Sequence, residues 1–507
     1  MDNKIKTLEE LKDTLSNLKS KGQKIVHCHG VFDLMHLGHI RYFKEAKSFG
    51  DLLVITITPD AYVRRGPARP AFSSELRAES IAALDVVNYV AINKWQTAVK
   101  TIKLLKPDFY VKGPDYKNYE KDVTGNIQRE EDAIHSVGGE IKITSDITFS
   151  STKLVNRYFN LYNTDQKKFI NSLKEKYSLE KINNYIHKLK DLKVLTVGET
   201  ILDEYIFCEA LGKSGKEPVL VTREIKSEIY LGGILAIANH LSDFCNNIEI
   251  VSFLGEKGES EDFIKENLGA GIKTNFLYKT NSPTIIKKRF IDNTRKSKLL
   301  GVYDINDEII NRADEQLFKE KLVKSLPKYD LVIVADYGHG IITERIAKLL
   351  SEQSSFLAFN TQVNAANIGY HSISKYPKAN CVIINGSELR FELRDRLTDI
   401  ETLAKQLADN LITDTIIVTK GSAGVLLYNA KEGYFTFCPA FTHNVVDIIG
   451  AGDALLALTS VCLSVGIPDD LSLFIGSLAA AQSVETMGNS KPVNKVDLLK
   501  AMNSILN

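Results

Sequence analysis

The stretch HGVFDLMHLGHIRYF, residues 29–43, decides the fold expected for the first part of the chain. It continues an apolar run that starts at residue 24 and then takes on helical spacing, so a strand is predicted to give way to a helix. Open parallel sheets bind ligands at the carboxyl ends of their strands, beside unpaired N–H groups of the next helix. His36 and His39 fall there and could donate hydrogen bonds to a phosphate, while Gly38 lets the backbone approach closely. The alternative is an ordinary pair of surface or core histidines.

Short β-rich runs continue after this stretch, at DLLVITITPD (51–60), VNYVAI (87–92), PDFYVKG (107–113) and GGEIKIT (138–144). Helix-like segments such as ELRAESIAAL (75–84) separate them. Strands that alternate with helices predict βαβ units and a parallel sheet. We expect this first α/β domain to occupy residues 1–155.

A second alternating series follows a different kind of segment. Residues 156–190 lack Gly and Pro and have apolar positions at helical spacing, which predicts a helical connector. From LKVLTVGETILDEY (192–205) onward, strand candidates such as DLVIVADYG and CVIIN recur to the end of the chain. We therefore expect one large α/β domain over residues 191–507.

Bulk properties exclude several classes of protein. A formal net charge of +1, with 44% hydrophobic and 25% charged residues, provides no field that would recruit nucleic acid or a membrane surface. The six cysteines are scattered without a CxxC pair, which argues against disulfides or a zinc site. No apolar run reaches the roughly 18 residues that a membrane span needs. We expect a cytoplasmic protein with no nucleic-acid or membrane partner.

Four motifs in the first domain resemble, in order and spacing, those of the cytidylyltransferase-like nucleotidylyltransferases: GVFDLMHLGHIRYFKEAKSFGDLLVITITPD, RPAFSSELRAESIAAL, VKGPDY and FSSTKL. The resemblance implies a Rossmann-like fold and a single displacement, in which a sugar or polyol phosphate oxygen attacks the α-phosphorus of a nucleoside triphosphate. It implies that His36 and His39 stabilise the charge that builds on the phosphates. It also implies nucleotide or phosphate contacts from Gly30, Phe32, Gly38, Lys44, Arg77, Lys112, Ser150, Ser151 and Thr152, and magnesium or acceptor contacts from Asp33 and Asp115. For Lys44, an ordinary solvated lysine is an equal alternative.

The segment VVDIIGAGDALLAL, residues 445–458, opens an apolar helix with a glycine turn. The backbone N–H groups of Gly450, Ala451 and Gly452 are free to face an anion, so this turn is a predicted anion hole. Asp453 follows at once and, as a carboxylate, is better suited to accept the proton of an attacking hydroxyl. A glycine turn with an aspartate helix cap is the simpler alternative.

Residues 192–507 also resemble the ribokinase-like (PfkB) sugar kinases, through GETILDEY, YLGG (230–233), NGSE (385–388), VTKGSAGVLL (418–427) and the GAGD box. The resemblance implies a ribokinase-like α/β domain with a small β lid, and Asp453 as the base in transfer of the γ-phosphoryl group of ATP. It implies sugar contacts from Asp203, Gly232 and Gly233. It further implies ATP contacts from Asn385, Glu388, Lys420, Gly421, Gly424, Gly450, Ala451 and Gly452, with Glu388 also associated with Mg2+.

Three positions depart from the kinase pattern. Ile449 replaces a threonine, Ala236 an asparagine, and the pair Asn360-Thr361 an Asp-Pro pair. Because the base and the backbone anion hole are retained, we expect an active kinase. A domain that only binds or senses a sugar is the alternative.

The pairing of the two halves resembles the bifunctional heptose-phosphate kinase/nucleotidylyltransferases of ADP-heptose synthesis in lipopolysaccharide assembly, with the domain order reversed. The resemblance implies that a heptose 7-phosphate-like sugar is phosphorylated by ATP and then coupled, as its 1-phosphate, to a nucleotide. Trp95-Gln96 is reminiscent of polyol-phosphate cytidylyltransferases, so a CTP-dependent enzyme making a CDP-sugar or CDP-polyol is the alternative. Both families commonly self-associate, which implies a homo-oligomer.

Overall fold

The computed structural model describes residues 4–63, 70–114, 126–145, 162–442 and 444–506. The chain divides into two compact units, one made of Met1–Asn163 with Leu499–Asn507 and the other of Thr164–Leu498. Each unit has its own parallel sheet. The functional residues of each unit therefore depend on a separate framework.

In the described part of the first unit, five parallel strands form a sheet of order β3-β2-β1-β4-β5. The chain moves outward from β1 to β3 and then crosses to β4 on the other side of β1, which creates a switch point between β1 and β4. The strands are β1 (Ile25–Gly30), β2 (Leu52–Ile57), β3 (Tyr89–Ile92), β4 (Phe109–Lys112) and β5 (Glu140–Ile143). The helices are α1 (Leu8–Ser20), α2 (Leu37–Lys47), α3 (Ser74–Ala82), α4 (Val99–Leu105) and α5 (Asn126–His135). This arrangement confirms the predicted Rossmann-like fold.

The second unit begins with α6 (Thr164–Lys176) and α7 (Leu179–Lys188), which lie in the stretch predicted to be a helical connector. A nine-stranded sheet of order β10-β9-β6-β13-β14-β15-β16-β17-β18 follows within the described residues, parallel from β10 to β16 and antiparallel beyond. Its strands are β6 (Lys193–Gly198), β9 (Asn247–Gly255), β10 (Ile272–Lys279), β13 (Leu331–Asp336), β14 (Leu357–Thr361), β15 (Lys378–Asn385), β16 (Ile412–Thr419), β17 (Val425–Asn429) and β18 (Tyr434–Cys438).

A smaller, four-stranded sheet of order β12-β11-β7-β8 accompanies it in the described chain. Its strands are β7 (Thr200–Lys213), β8 (Leu220–Gly233), β11 (Ile285–Asp292) and β12 (Lys298–Asp304). The remaining helices are α8 (Ile234–Leu241), α9 (Glu261–Asn267), α10 (Arg312–Ser325), α11 (Glu344–Gln353), α12 (Gly386–Leu393), α13 (Ile400–Asn410), α14 (Ala451–Ser464), α15 (Asp469–Ser483) and α16 (Lys495–Leu506). An α/β domain with a small additional sheet is what the sequence predicts.

Buried side chains explain why these elements form. The inner strands β6 and β13 contribute Leu195, Val197, Val332 and Val334 to one large core, as expected for parallel strands covered on both faces. All six cysteines lie in the described residues and are buried without disulfide partners. None of the helices in the described part of the chain is long and apolar enough to span a bilayer.

Candidate active sites

His36 and His39 lie together at the start of α2, directly beyond the carboxyl end of β1. Their rings are stacked, with centroids 3.9 Å apart and an interplanar angle of 21°. His36 is the helix cap, because its Nδ1 accepts a hydrogen bond from the Gly38 backbone N–H at 3.1 Å. Burial lowers the pKa of His36. A neutral ring that accepts at Nδ1 carries its proton on Nε2, so His36 is a donor at that atom.

Gly30 and Phe32 shape this site. Phe32 has a left-handed backbone, with a φ of 49°, and its ring meets that of His39 edge-on at 5.4 Å between centroids. A Cβ at Gly30 would lie 2.9 Å from Cζ of Phe32, which is too close for two carbon atoms. Glycine at this position therefore makes room for the ring that supports the histidines.

Arg77 is 1% exposed and holds the strand ends around this site. Its guanidinium donates to three backbone carbonyls, those of Val31, Phe72 (3.0 Å) and Thr58 (2.9 Å). It also donates to Oδ1 of Asp60 at 2.5 Å. These bonds make Arg77 a support of the pocket. Its expected contact with a nucleotide stays a prediction.

Two further predicted residues also make contacts within the protein. Oδ1 of Asp33 accepts hydrogen bonds from the backbone N–H groups of Ala71, at 2.7 Å, and Phe72, at 3.2 Å. Lys112, at the end of β4, forms an ion pair with Glu130 at 2.7 Å. Both side chains thus contribute to the local structure, and their contacts with substrate stay predictions.

The other predicted residues of this unit differ in position. Lys44 is exposed on α2, and its expected contact with the triphosphate stays a prediction. Asp115, Ser150, Ser151 and Thr152 lie outside the described residues.

The second site begins at the glycine turn before α14. Gly450 has a φ of 92°, and a Cβ there would overlap Oδ1 of Asn489. The helix starts at Ala451, so the first backbone N–H groups have no partner within the helix and point outward. Asp453 stands in this first turn. The geometry agrees with an anion hole next to a carboxylate.

Asp453 has a direct partner that the sequence did not reveal. Tyr337, the residue after β13, donates its hydroxyl hydrogen to Oδ1 of Asp453 at 2.7 Å. Burial and the nearby Asp203 carboxylate raise the pKa of Asp453 to about 7, although Tyr337 and the Lys287 ammonium act in the opposite direction. Glu199, 1% exposed, accepts from the backbone N–H of Tyr337 at 2.9 Å and of His339 at 3.0 Å and so fixes the tyrosine loop.

Asp203 and the glycine pair lie on the four-stranded sheet. Asp203 pairs with the guanidinium of Arg289, and a Cβ at Gly232 would overlap Oδ2 of Asp203. Gly233 has a φ of 57°, and a Cβ at this position would overlap the backbone carbonyl of Glu199. The two glycines therefore bring the backbone of β8 against the Asp203 carboxylate and the Glu199 backbone carbonyl, as expected for a floor beneath a ligand.

Lys287 is a second residue that the sequence did not reveal. It stands opposite Asp203 in the register of β11 and β7 and is 5% exposed. Its Nζ lies 5.3 Å from the ring centroid of Tyr337 and 5.4 Å from that of Tyr303, and in the described ranges this ammonium group forms neither an ion pair nor a hydrogen bond. Burial lowers the pKa of Lys287, while Asp203 opposes that shift. Through these contacts the sheet joins Asp203, Arg289, Lys287, Tyr337 and Asp453 in one site.

The NGSE segment adopts a helix-capping arrangement. The side-chain oxygen of Asn385 accepts from the Ser387 and Glu388 backbone N–H groups, and Glu388 accepts from the Asn385 N–H at 3.0 Å and the Val363 N–H at 3.1 Å. Burial raises the pKa of Glu388. The residues described contain no cluster of three acidic, histidine or cysteine side chains that could bind a metal by itself. The magnesium contact of Glu388 stays a prediction.

The turn at residues 420–424 ends β16. Gly421 and Gly424 both have positive φ angles, of 57° and 113°, and the Lys420 N–H donates to the Gly424 carbonyl at 2.8 Å. A Cβ at Gly424 would overlap the Cys438 carbonyl, so close packing accounts for this glycine. Asn385 is the last residue of β15 and Lys420 follows β16. These strands lie two and three positions from β13 in the sheet, which places their ends roughly 10 to 14 Å from the end of β13.

The three departures from the kinase pattern are ordinary structural residues here. The Ile449 N–H donates to Asp447 at 3.3 Å, Ala236 is buried in α8, and the Asn360 amide donates to the Ile383 carbonyl at 2.8 Å. None of these contacts displaces Asp453 or the backbone N–H groups beside it. The positions of Asp453 and of the start of α14 therefore do not depend on a hydroxyl, amide or carboxylate at these three positions, and activity of the kinase stays a prediction.

Two family models match the chain. The pfkB family carbohydrate kinase model matches residues 191–496, which is more than half of the chain, and the cytidylyltransferase-like model matches residues 27–193. These matches confirm the resemblance to both families. They also agree with the two sets of site geometry described above.

Curated relatives carry the name "Bifunctional protein HldE". The relative from Syntrophotalea carbinolica is 36% identical over 164 residues, 32% of each chain, and the relative from Koribacter versatilis is 26% identical over 329 residues, 63% of this chain and 66% of the relative. The chain thus spans about a third of the length of the first curated relatives that it matches. Phosphofructokinase-2 from Escherichia coli, in a structure with potassium, has a TM-score of 0.50 and 14% identity, covering 62% of this chain and 100% of that one. This similarity shows a shared fold.

Proposed function

Because the chain belongs to the pfkB family of carbohydrate kinases and carries a cytidylyltransferase-like segment before it, we propose that it catalyses two consecutive steps of nucleotide-sugar synthesis. The kinase half phosphorylates a heptose 7-phosphate-like sugar with ATP, and the transferase half couples the resulting 1-phosphate to a nucleotide. The observation that carries the proposal is the position of Asp453 beside the unpaired N–H groups at the start of α14.

In the kinase half, Asp453 accepts the proton of the attacking sugar hydroxyl. Its Oδ1 is held by Tyr337, which leaves Oδ2 to face the substrate. The sugar oxygen forms a bond to the γ-phosphorus as the bond to ADP breaks, and the N–H groups of Gly450, Ala451 and Gly452 stabilise the charge on the transferred group. Asp203 and the backbone of Gly232 and Gly233 hold the sugar.

A phosphorylated acceptor suits the charges of this pocket. Lys287 and Arg289 stand on the same face of β11 as neighbours at alternate positions. The Arg289 guanidinium donates through Nη1 to Asp203 and, at 3.3 Å, to the Lys287 carbonyl. Its Nε and Nη2 groups make no bond to another described residue, so they can donate to a ligand. Lys287 has no carboxylate partner within 4 Å among the described residues, and an anionic group on the substrate would compensate its buried charge. This supports a sugar phosphate rather than a neutral sugar.

In the transferase half, an oxygen of the sugar 1-phosphate attacks the α-phosphorus of the nucleoside triphosphate and pyrophosphate leaves. His36 donates from Nε2 and, with the stacked His39, stabilises the charge on the phosphate oxygens in the transition state. No covalent intermediate is required, because such transfer depends on position and charge. Gly30, Phe32, Gly38 and Lys112 shape the nucleotide side of the pocket.

Mg2+ is expected in both halves, where it would neutralise phosphate charge. Such an ion takes one or two carboxylates and several phosphate or water oxygens, which fits sites that offer Asp33 in the first unit and Glu388 in the second. When bound, the ion neutralises the charge that develops on the phosphates. ATP is the phosphoryl donor, and either ATP or CTP is the nucleotidyl donor.

We also propose that the enzyme is cytoplasmic and self-associates. Its substrates are intracellular phosphates in this scheme, and its thiols are reduced. The four-stranded sheet exposes apolar side chains, namely Leu300, Val302, Ile229 and Leu220, which are 60%, 45%, 42% and 58% exposed. Exposed apolar surface of this kind favours contact with a second copy. Sedimentation velocity at several concentrations measures the oligomeric state.

The proposed function is tested with the purified full chain. The chain is incubated with ATP, Mg2+ and each of a panel of heptose 7-phosphates, and ADP release is followed. The product is then offered with each of the four nucleoside triphosphates, and pyrophosphate is followed. Release of ADP and of pyrophosphate supports both steps, and the preferred triphosphate identifies the nucleotide. Sugar binding without ADP release would instead show a sensor.

A further inference from the structure

Asp447 lies three residues before the glycine turn and is 5% exposed. Its carboxylate accepts four hydrogen bonds: from the Tyr205 hydroxyl at 2.8 Å, the Lys298 ammonium at 2.7 Å, the Gly488 N–H at 3.2 Å and the Ile449 N–H at 3.3 Å. Burial by itself would raise the pKa of Asp447, but the bonds from Lys298 and Tyr205 lower it below its ordinary value. The carboxylate is therefore ionised and fully surrounded by donors.

Two of these donors come from the four-stranded sheet. Tyr205 is on β7, two residues from Asp203, and Lys298 is the first residue of β12. The other two donors are backbone N–H groups, one in the loop beside Met487 and one in the segment that leads to the anion hole. Met487 packs against a small apolar cluster of Tyr205, Phe207, Tyr230 and Ile291 in the same sheet. Asp447 is the point where the sugar-binding sheet meets the backbone that carries the phosphate-binding turn.

Only two residues separate Asp447 from the glycine turn, and the turn itself is tightly packed. The backbone after Asp447 continues through Ile448 and Ile449 to Gly450, whose α-carbon faces Asn489 so closely that no side chain fits. A shift of Asp447 would therefore be transmitted along three residues to the N–H groups that start α14, and from there to Asp453.

We propose that Asp447 is a positioning residue, which ties the position of the four-stranded sheet to the anion hole through Lys298 and Tyr205. The sheet holds the acceptor through Asp203, and the turn holds the group being transferred, so this link sets the distance between them. The inference rests on the proposed kinase function. It predicts that loss of the link lowers the rate of phosphoryl transfer more than it weakens the binding of either substrate.

Lys298 and Lys288 form a matched pair for the test. Both lysines are on the four-stranded sheet, with side chains 40% and 39% exposed, and both pair with a carboxylate. Lys298 pairs with Asp447, whereas Lys288 pairs with Glu204 at 3.8 Å and has no connection to the turn among the described residues. We expect Lys298→Met to lower kcat for ADP formation about ten-fold with KM values changed less than about two-fold, and Lys298→Arg to restore most of the rate. Lys288→Met should leave kcat unchanged.

A second measurement does not require catalysis. Backbone hydrogen exchange of peptides covering residues 447–456, followed by mass spectrometry on the full chain, reports the stability of the turn. We expect faster exchange in Lys298→Met and in Tyr205→Phe, and wild-type exchange in Lys288→Met. Pyrophosphate release by the other half of the same chain shows that each variant is otherwise intact.

Failure of the proposed kinase function and failure of the positioning role of Asp447 give different results. If the wild-type chain forms no ADP, the proposed kinase function fails, and the exchange data still decide whether Lys298 holds the turn. If the wild-type chain turns over and Lys298→Met and Tyr205→Phe match Lys288→Met in both kcat and exchange, the positioning role is refuted. Equal losses in Lys298→Met and Lys298→Arg would also overturn it, since a retained cation should restore the link.

Discussion

Tyr337 and Asp453 are joined by a hydrogen bond of 2.7 Å from the phenol to one carboxylate oxygen. The bond connects the loop after a central strand of the large sheet to the first turn of α14. It orients the carboxylate and stabilises its charged form in a buried setting, where the pKa of Asp453 is about 7.

The ADP-forming reaction should lose activity as the pH falls through about 7, because a base must be ionised to accept a proton and Asp453 has a pKa of about 7. Tyr337→Phe removes a hydrogen bond that lowers this pKa, so the acidic limb of kcat/KM should move to higher pH. Tyr278→Phe is the control, since Tyr278 also donates to a carboxylate, that of Glu261 at 2.7 Å, but is an exposed residue. An identical pH profile in the wild type and Tyr337→Phe would contradict the assignment.

Asp453→Asn should lower the rate of ADP formation by roughly 10²- to 10⁴-fold, since the amide cannot accept the proton of the hydroxyl. Pyrophosphate release from a sugar 1-phosphate should remain at the wild-type rate. Asp469→Asn changes another carboxylate in the first turn of a helix and is the matched control. Phosphoryl transfer within ten-fold of the wild-type rate in Asp453→Asn would exclude a base at this position.

His39→Ala and His36→Asn should each lower pyrophosphate release by roughly 10²- to 10³-fold, the typical effect of losing one donor to a developing anion. Asparagine is a good helix cap, so His36→Asn keeps the bond to the Gly38 N–H while removing the imidazole. His135→Ala, an exposed histidine at the end of α5, should have no effect. ADP formation should be normal in all three. Full transferase activity in His36→Asn would limit His36 to capping.

Gly232→Ala should raise the KM for the sugar by about ten-fold or more, because the new Cβ overlaps Oδ2 of Asp203 and displaces the carboxylate. The KM for ATP should change little. Gly215→Ala is the control, since a Cβ at that position meets open space. An unchanged sugar KM in Gly232→Ala would show that Asp203 does not hold the acceptor.

Lys287→Met should reduce kcat/KM for a phosphorylated acceptor by about ten-fold or more while affecting the unphosphorylated sugar less. The assay is run at pH 8.5 with the preferred heptose 7-phosphate and with the corresponding free heptose, because loss of the cation also raises the pKa of Asp453. Lys288→Met changes the next residue, which points to the opposite face of β11. Equal losses for both acceptors would mean that Lys287 acts on the base alone.

The sequence predicted the elements that local patterns specify. Alternating strands and helices indicated two parallel α/β sheets, and the structure contains both. The GAGD box and the HxGH pair fall at helix starts, as their glycines and their positions after β-rich segments suggested. These features depend on residues close together in the chain, which is why a single sequence contains enough information.

Contacts between distant residues could not be predicted in the same way. Lys287 reaches Asp203 through strand register, and Tyr337 reaches Asp453 from a different strand and helix. A signal was present in the run ADYG at the carboxyl end of a predicted strand, where functional side chains of parallel sheets collect. The three consecutive basic residues in IIKKRFID were another. Neither pattern indicates which distant residues its side chains will contact in the folded chain.

The NGSE segment illustrates a second kind of limit. An asparagine followed three residues later by a glutamate fits both a phosphate-site motif and a helix capping box, and the structure contains the capping box. Arg77 is similar, since its sequence position agreed with a nucleotide contact while its guanidinium bonds carbonyls from three separate segments. In each case the sequence pattern fits both a ligand contact and a structural contact, and the pattern alone does not distinguish them.

Arg77 also bears on how the first half can change its nucleotide preference. Its bonds reach Val31, Thr58 and Phe72, which belong to different segments, and a lysine has neither the planar fork nor enough donors to replace them. Selection for a different nucleobase should therefore alter residues at the rim of the site and spare this arginine. A library built around an invariant Arg77 would keep most of its members folded, whereas randomising that codon would eliminate them before any preference could be read.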